Sequence, residues 1–136
     1  MTIEHNLYQA AIDLIEKRYP TGWGGAAAMH TVDGQILTSI SPNVLVAATE
    51  LCMETGAILE AHKLNTTVTH TICVARENEK APFKILTPCG ICQERLFYWG
   101  DDVKAAVSNP DNDLDYKCLK EIQPHHWYKV YQKEVH

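Results

Sequence analysis

Cys52-Met53-Glu54 and Pro88-Cys89-Gly90-Ile91-Cys92 are the stretches on which the reading of this chain turns, with Thr69-His70-Thr71-Ile72-Cys73-Val74-Ala75-Arg76 between them. The middle run is β-branched and apolar, as a buried strand requires. Ahead of it, Met53, Ala57, Ile58, Ala61 and Leu64 form one apolar stripe and predict a helix over 51–64. Gly56 inside that helix costs about 1 kcal/mol against Ala, which points to something packing closely there. After the strand, the polar stretch 77–84 reads as a loop, and a second helix is predicted from Cys89 to about Trp99, ended by Gly100. Both cysteine clusters therefore fall at helix starts.

Working outward, Ile3 to Tyr19 carries Ile3, Leu7, Ala10, Ala11, Leu14 and Ile15 at helical spacing, and Pro20 stops it. Gly25–Val32 and Gln35–Ile40 flank Asp33-Gly34, a short hairpin signal. Val103–Val107 reads as another strand, and Leu119–Ile122 as a short helix before Pro124 and the aromatic tail Trp127, Tyr128 and Tyr131. A hairpin followed by alternating helices and strands predicts an α/β fold, a mixed sheet covered by helices.

With 136 residues, 46% of them hydrophobic and 21% charged, the chain is expected to be one domain, 1–136, with a single core. No run approaches the ~18 apolar residues of a membrane span. The N-terminal segment reads as no secretory signal, so a cytoplasmic location is expected. Seventeen acidic against twelve basic residues give a charge of −5, which speaks against a nucleic-acid partner. Five cysteines, an odd number, are then expected to be reduced thiols, and a C-x-x-C among them points to metal or redox chemistry.

Cys89 and Cys92 lie three apart on one side of a first helical turn, and Cys52 starts the other helix. Helix N-termini favour thiolate over thiol. Two such ends meeting would gather three thiolates, a poor arrangement unless a cation holds them. Zn²⁺ suits it, with sulfur at ~2.3 Å, and three protein ligands leave a fourth position for water, as in catalytic sites. Residues two apart do not face each other in a helix, so Glu54 can serve that water only if Cys52 lies near the N-cap, before the backbone is helical.

The combination matches the zinc nucleobase deaminase signature H-x-E…P-C-x-x-C in its Cys₃ form at every specified position. On these residues, with Asp33-Gly34-Gln35-Ile36, Asn43-Val44 and Leu119-Lys120-Glu121-Ile122-Gln123-Pro124, the chain resembles the cytidine deaminase superfamily, nearest to the blasticidin S deaminase group. The resemblance implies a three-layer α/β/α fold with a central mixed five-stranded sheet, and a homotetramer whose active sites lie near subunit interfaces. It implies Cys52, Cys89 and Cys92 as zinc ligands and Glu54 as the catalytic proton shuttle. The activity implied is release of ammonia from the 4-amino group of a free cytosine nucleoside or a blasticidin S-like antibiotic. Trp23 matches the aromatic over the pyrimidine or sugar, and Asn43 falls where cytidine deaminases place a ribose-binding Glu, as in the blasticidin deaminases. Many Cys₃ relatives carry Arg directly after the Glu, where this chain has Thr55. Arg95 is the candidate donor to the thiolates in its place. Both departures point away from plain cytidine as the substrate.

Blander readings stand beside these. Cys89 and Cys92 alone could be a redox pair or half of a structural zinc site, and Trp23 and Asn43 could serve packing and turn capping. Cys73 reads as a buried apolar residue and Cys118 as silent. The histidines His62, His70, His125 and His126 lack a spacing that builds a site, and His30 falls in a strand near the expected pocket without a role assigned to it. A silent zinc scaffold or a deaminase of another aminated base are the competing functions.

Overall fold

The computed structural model describes residues 2–132, excepting the side chain of Gln132. α1 (Ile3–Arg18) begins at Thr2, whose hydroxyl accepts the His5 amide, and buries Leu7, Ala11 and Ile15, the i, i+4, i+8 stripe of one face. β1 (Gly24–Thr31) and β2 (Ile36–Ser39) form the antiparallel hairpin, with Met29 opposite Leu37 and His30 opposite Ile36. Only Gly34 of the turn takes a positive φ, at 86°. The conformation of Asp33 is ordinary, and its carboxylate instead gathers Thr31, Gln35 and Thr66 around the turn.

α2 (Thr55–Lys63) is shorter than the sequence pattern suggests, because Leu51 to Glu54 form an approach turn rather than its first turn. β3 (Val68–Arg76) pairs antiparallel with β1 and with the two-residue β4 (Lys84–Ile85). α3 (Gly90–Leu96) starts at Cys89 and passes into a 3₁₀ turn, Phe97–Trp99, that ends at Gly100. β5 (Lys104–Ala106) runs parallel to β3, and β6 (Tyr116–Cys118) pairs antiparallel with β5. α4 (Leu119–Ile122) follows, then α5 (Lys129–Gln132).

The sheet order is β2-β1-β3-β5-β6, with β4 also on β3, six strands among the described residues. The five strands of the main path match the expected mixed sheet; β4 is an addition to it. The central strands are buried on both faces, which is why β1 reads Gly-Gly-Ala-Ala-Ala-Met, small enough for helices to sit close. Alternation divides them. Ala26, Ala28, Ile72 and Val74 pack under α1 with Leu7, Ala11 and Ile15. Met29, Leu37 and Val68 pack under α2 and α3 with Ala57, Ile58, Ala61 and Leu96. The result is three layers, α/β/α. Each fully buried Leu or Ile here contributes about 1.5–3 kcal/mol, so the two small cores hold both helix layers to one sheet.

Candidate active site and metal centre

The helices of the second layer deliver both cysteine clusters to one end of the sheet. Cys52 precedes α2 by three residues, and Glu54 is the α2 N-cap. This is the condition the Cys52–Glu54 spacing demanded: the backbone between them is a turn, held by the Thr55 amide on the Cys52 carbonyl at 3.1 Å. Cys89 is the α3 N-cap in extended conformation, and Cys92 lies on the first turn, fully buried. Gln93 pins this end, its side-chain amide donating to the Pro88 carbonyl at 2.7 Å.

Cys52 Sγ and Cys89 Sγ are 3.2 Å apart, and the sulfurs of Cys52, Cys89 and Cys92 all lie within 4.8 Å of one another. Three sulfurs at ~2.3 Å from a tetrahedral ion would be spaced by roughly 3.8 Å. The thiols are close enough together to share one ion, and the all-sulfur donor set is one that Zn²⁺ accepts. The trio could therefore hold a metal ion.

The electrostatics separate the three thiols. Against its burial, Cys89 is held below the usual thiol range by the Cys92 and Ile91 amides at the helix start and by the Cys52 thiol. Cys52 is pushed up, first by its hydrogen bond to Cys89 and then by burial. Cys92 is pushed up by burial and by the nearby Glu54 carboxylate. Three anions at this range repel strongly, and a divalent cation is what removes that cost. Glu54 is 3% exposed, and burial raises its pKa.

Cys73 is a buried residue of β3, as its place in the apolar run suggests. It lies close to Glu54, and burial pushes its thiol well up. Strand alternation places it there: Ile72 and Val74 face α1, so Cys73 faces α2, α3 and Glu54. Cys118, read as silent, caps α4 with its side chain while Glu121 accepts its amide.

Arg95 makes its side-chain hydrogen bond to Thr55: the guanidinium donates to Oγ1 at 3.1 Å, which places positive charge one residue past Glu54. Thus α3 supplies a cation at the position where the sequence of α2 has none. Trp23 is half exposed, edge-on to Tyr19 at 5.8 Å between ring centres. A Cβ on Gly25 would meet both the Trp23 ring and Met53 Sδ, so Trp23 and Met53 converge beside the Cys52–Glu54 turn. Asn43 is exposed and shares with Cys52, Thr55 and Gly56 a groove of about 380 Å³. Sequence reasoning missed Ser39, whose hydroxyl donates to the Met53 carbonyl at 2.5 Å; no local pattern marks it. His126 stacks on Phe97 at 3.9 Å and contacts Glu94, whose other oxygen accepts Trp127 Nε1, so the aromatic tail is fastened to α3.

Fold and site together define the class: an α/β protein with a thiol trio and a buried carboxyl at two adjoining helix starts. The chain is similar to the crystal structure of the cytidine deaminase from Bacillus anthracis, with 58% identity over 98% of this chain and 95% of that one, at a TM-score of 0.96. The chain belongs to the cytidine deaminase family. The cytidine deaminases from Mycobacterium leprae and Burkholderia pseudomallei share the fold at lower identity. The first has 18% identity and a TM-score of 0.69, over 92% of this chain and all of that one. The second has 21% identity and a TM-score of 0.70, over 93% of this chain and all of that one. No family model and no curated protein matches the chain.

Proposed function

We propose that this chain is a zinc-dependent hydrolytic deaminase of a free cytosine nucleoside or a cytosine-nucleoside antibiotic of the blasticidin S kind. The observation that carries this is the convergence of Cys52, Cys89 and Cys92 within 4.8 Å at the turn that also presents buried Glu54. The Bacillus anthracis protein it resembles is a cytidine deaminase, which supports the same chemistry. Cys52, Cys89 and Cys92 would hold the ion, and bound there it would supply Lewis-acid activation of water near neutral pH.

Glu54 does the proton work. Its carboxylate accepts a proton from the water attacking C4 of the cytosine ring, returns it to the ring nitrogen, and passes a proton to the leaving amine. The C4–N bond breaks, C4 becomes a carbonyl, and ammonia leaves. Burial raises the Glu54 pKa, so the carboxyl holds a proton in mid-reaction more readily than a surface glutamate would. The Cys73 thiol, kept neutral, adds no second negative charge beside it. Arg95 acts through Thr55, its cation partly balancing the sulfurs.

Asn43, which lines the groove beside Cys52, and Trp23, which converges with Met53 on Gly25, are read as the substrate contacts. Asn43 offers a neutral amide where a ribose-binding carboxylate would sit, which favours a sugar altered from plain ribose. The net charge of −5 favours a free nucleoside over a polynucleotide. No helix among the described residues is long and apolar enough to cross a membrane. We read the chain as one catalytic domain in the cytoplasm, working as a homotetramer. Leu45, Ile91, Tyr98 and Trp127 stand exposed, apolar side chains of the kind neighbouring copies would cover.

The test is ammonia release by zinc-loaded protein on cytidine, deoxycytidine, blasticidin S and adenosine, with and without a chelator. Turnover of one or more of the cytosine compounds, abolished by chelation, is expected. Zinc at about one per chain with no turnover of any of them would overturn the reading.

A further inference from the structure

The Cys52–Glu54 turn is fastened from a strand that carries no metal ligand and no reacting group. Ser39 is the last residue of β2, two beyond Leu37, so strand alternation puts both on the face covered by α2. Its Oγ donates to the carbonyl of Met53 at 2.5 Å. Met53 is the single residue between Cys52 and Glu54, and its carbonyl belongs to the peptide that leads into Glu54. The hydroxyl therefore grips the backbone at the point from which the sulfur departs on one side and the carboxyl on the other.

The approach is possible because of Gly56. A Cβ there would stand 2.8 Å from the Cβ of Ser39, closer than real side chains come. This is the close packing that a glycine inside α2 implied. With residue 56 reduced to backbone, the start of α2 settles onto β2, and the serine hydroxyl reaches the turn. Glu54 has no side-chain cap bond at the α2 N-terminus. The turn is held within itself by the Thr55 amide to Cys52 carbonyl bond, at its end by the Ile58 amide on the Glu54 carbonyl, and from the strand side by Ser39.

We propose that Ser39 is a positioning residue for the deamination reaction, holding the Met53 peptide so that Glu54 and Cys52 keep one mutual geometry. The proposal rests on the reading of Glu54 as proton shuttle and Cys52 as ligand. Ser39 touches neither substrate nor metal and acts through the backbone. A turn free to shift by an ångström would leave substrate binding nearly intact. It would misplace the proton shuttle, a loss that reaches one or two orders of magnitude in well-studied sites.

Two variants test it. Ser39→Ala keeps the Cβ that packs on Gly56 and deletes the hydroxyl. The double variant S39G/G56A moves the methyl from strand to helix, restoring the space and giving α2 a better helix former, but it too lacks the bond. Both are expected to keep zinc, to lose about tenfold in kcat with KM within about twofold, and to release zinc to a chromophoric chelator several-fold faster than wild type. Wild-type kcat and release rate in either variant would overturn the proposal. So would a loss confined to the double variant, which would assign the effect to packing. A lowered melting temperature alone, with kcat and release unchanged, would make Ser39 merely structural. If the wild-type protein turns over no cytosine nucleoside, the functional reading fails, and the zinc-release rate alone decides whether Ser39 holds the turn.

Discussion

Two consecutive glycines open β1, and alternation sends them to opposite layers, so one methyl group added at each should separate stability from catalysis. On Gly24 a Cβ would meet Tyr19 Cβ at 2.8 Å and Ile15 Cγ2 at 2.9 Å, both belonging to α1 or its C-cap. Ile15 is fully buried, so neither neighbour can retreat without moving the helix. Overpacking of this kind costs about 1–3 kcal/mol, and Gly→Ala in a strand returns about 0.5–1 kcal/mol. The net loss is about 1–2 kcal/mol, a fall in melting temperature of roughly 4–8 °C for a domain of this size. On Gly25 the same methyl would meet Met53 Sδ at 2.5 Å and the Trp23 ring at 2.9 Å. A thioether end and a half-exposed ring can move, so the net stability change should be near zero. They move, however, at the Cys52–Glu54 turn. Gly25→Ala is expected to lower kcat/KM about tenfold, about 1.4 kcal/mol, with the melting temperature within about 3 °C of wild type. Gly24→Ala is expected to do the reverse, with kcat/KM within about twofold. Thermal melts and steady-state kinetics on the pair decide it. If Gly25→Ala is as active as wild type, the assignment of Trp23 and Met53 to the site wall is refuted.

Cys92→Ser removes the fully buried sulfur of the trio and should drop zinc content from about one per chain to near zero, read by elemental analysis after dialysis. The hairpin turn should show its own pH dependence. Thr31, Thr66 and Gln35 hold Asp33 at about 2, below its ordinary 3.8. The folded state thus binds this proton less tightly than the unfolded one. The stabilisation is complete above the ordinary value and is lost as pH falls toward the folded one. Denaturation at pH 5 and pH 2.5 should show Asp33→Asn losing less stability than wild type over that interval.

Much of this molecule was legible because its signals are local. The α1 stripe, the Asp33-Gly34 turn, the β3 run and the α3 stop at Gly100 each rest on a few neighbouring residues. The convergence of the three thiols was legible because thiol chemistry admits few explanations for Cys52, Glu54, Cys89 and Cys92 in that order. Elements shorter than a periodicity were not. β4 has two residues, and β6 is Tyr-Lys-Cys, which reads as nothing until β5 lies beside it. The start of α2 was drawn too early because the apolar stripe runs through Met53, although Met53 faces Gly25 from a turn. The supporting contacts of the site are pairings across the fold: Cys73 close to Glu54, Arg95 on Thr55, Ser39 on the Met53 carbonyl. A pairing between residues distant in sequence leaves no mark on either one alone.

The most direct measurement is a comparison of zinc-loaded wild type and Glu54→Gln for zinc content and ammonia release on the best cytosine substrate. The account predicts equal zinc in the two proteins and a loss of at least about a hundredfold in turnover for the variant. Undiminished ammonia release by Glu54→Gln would contradict it, because the buried carboxyl beside the three sulfurs would then have no part in the chemistry.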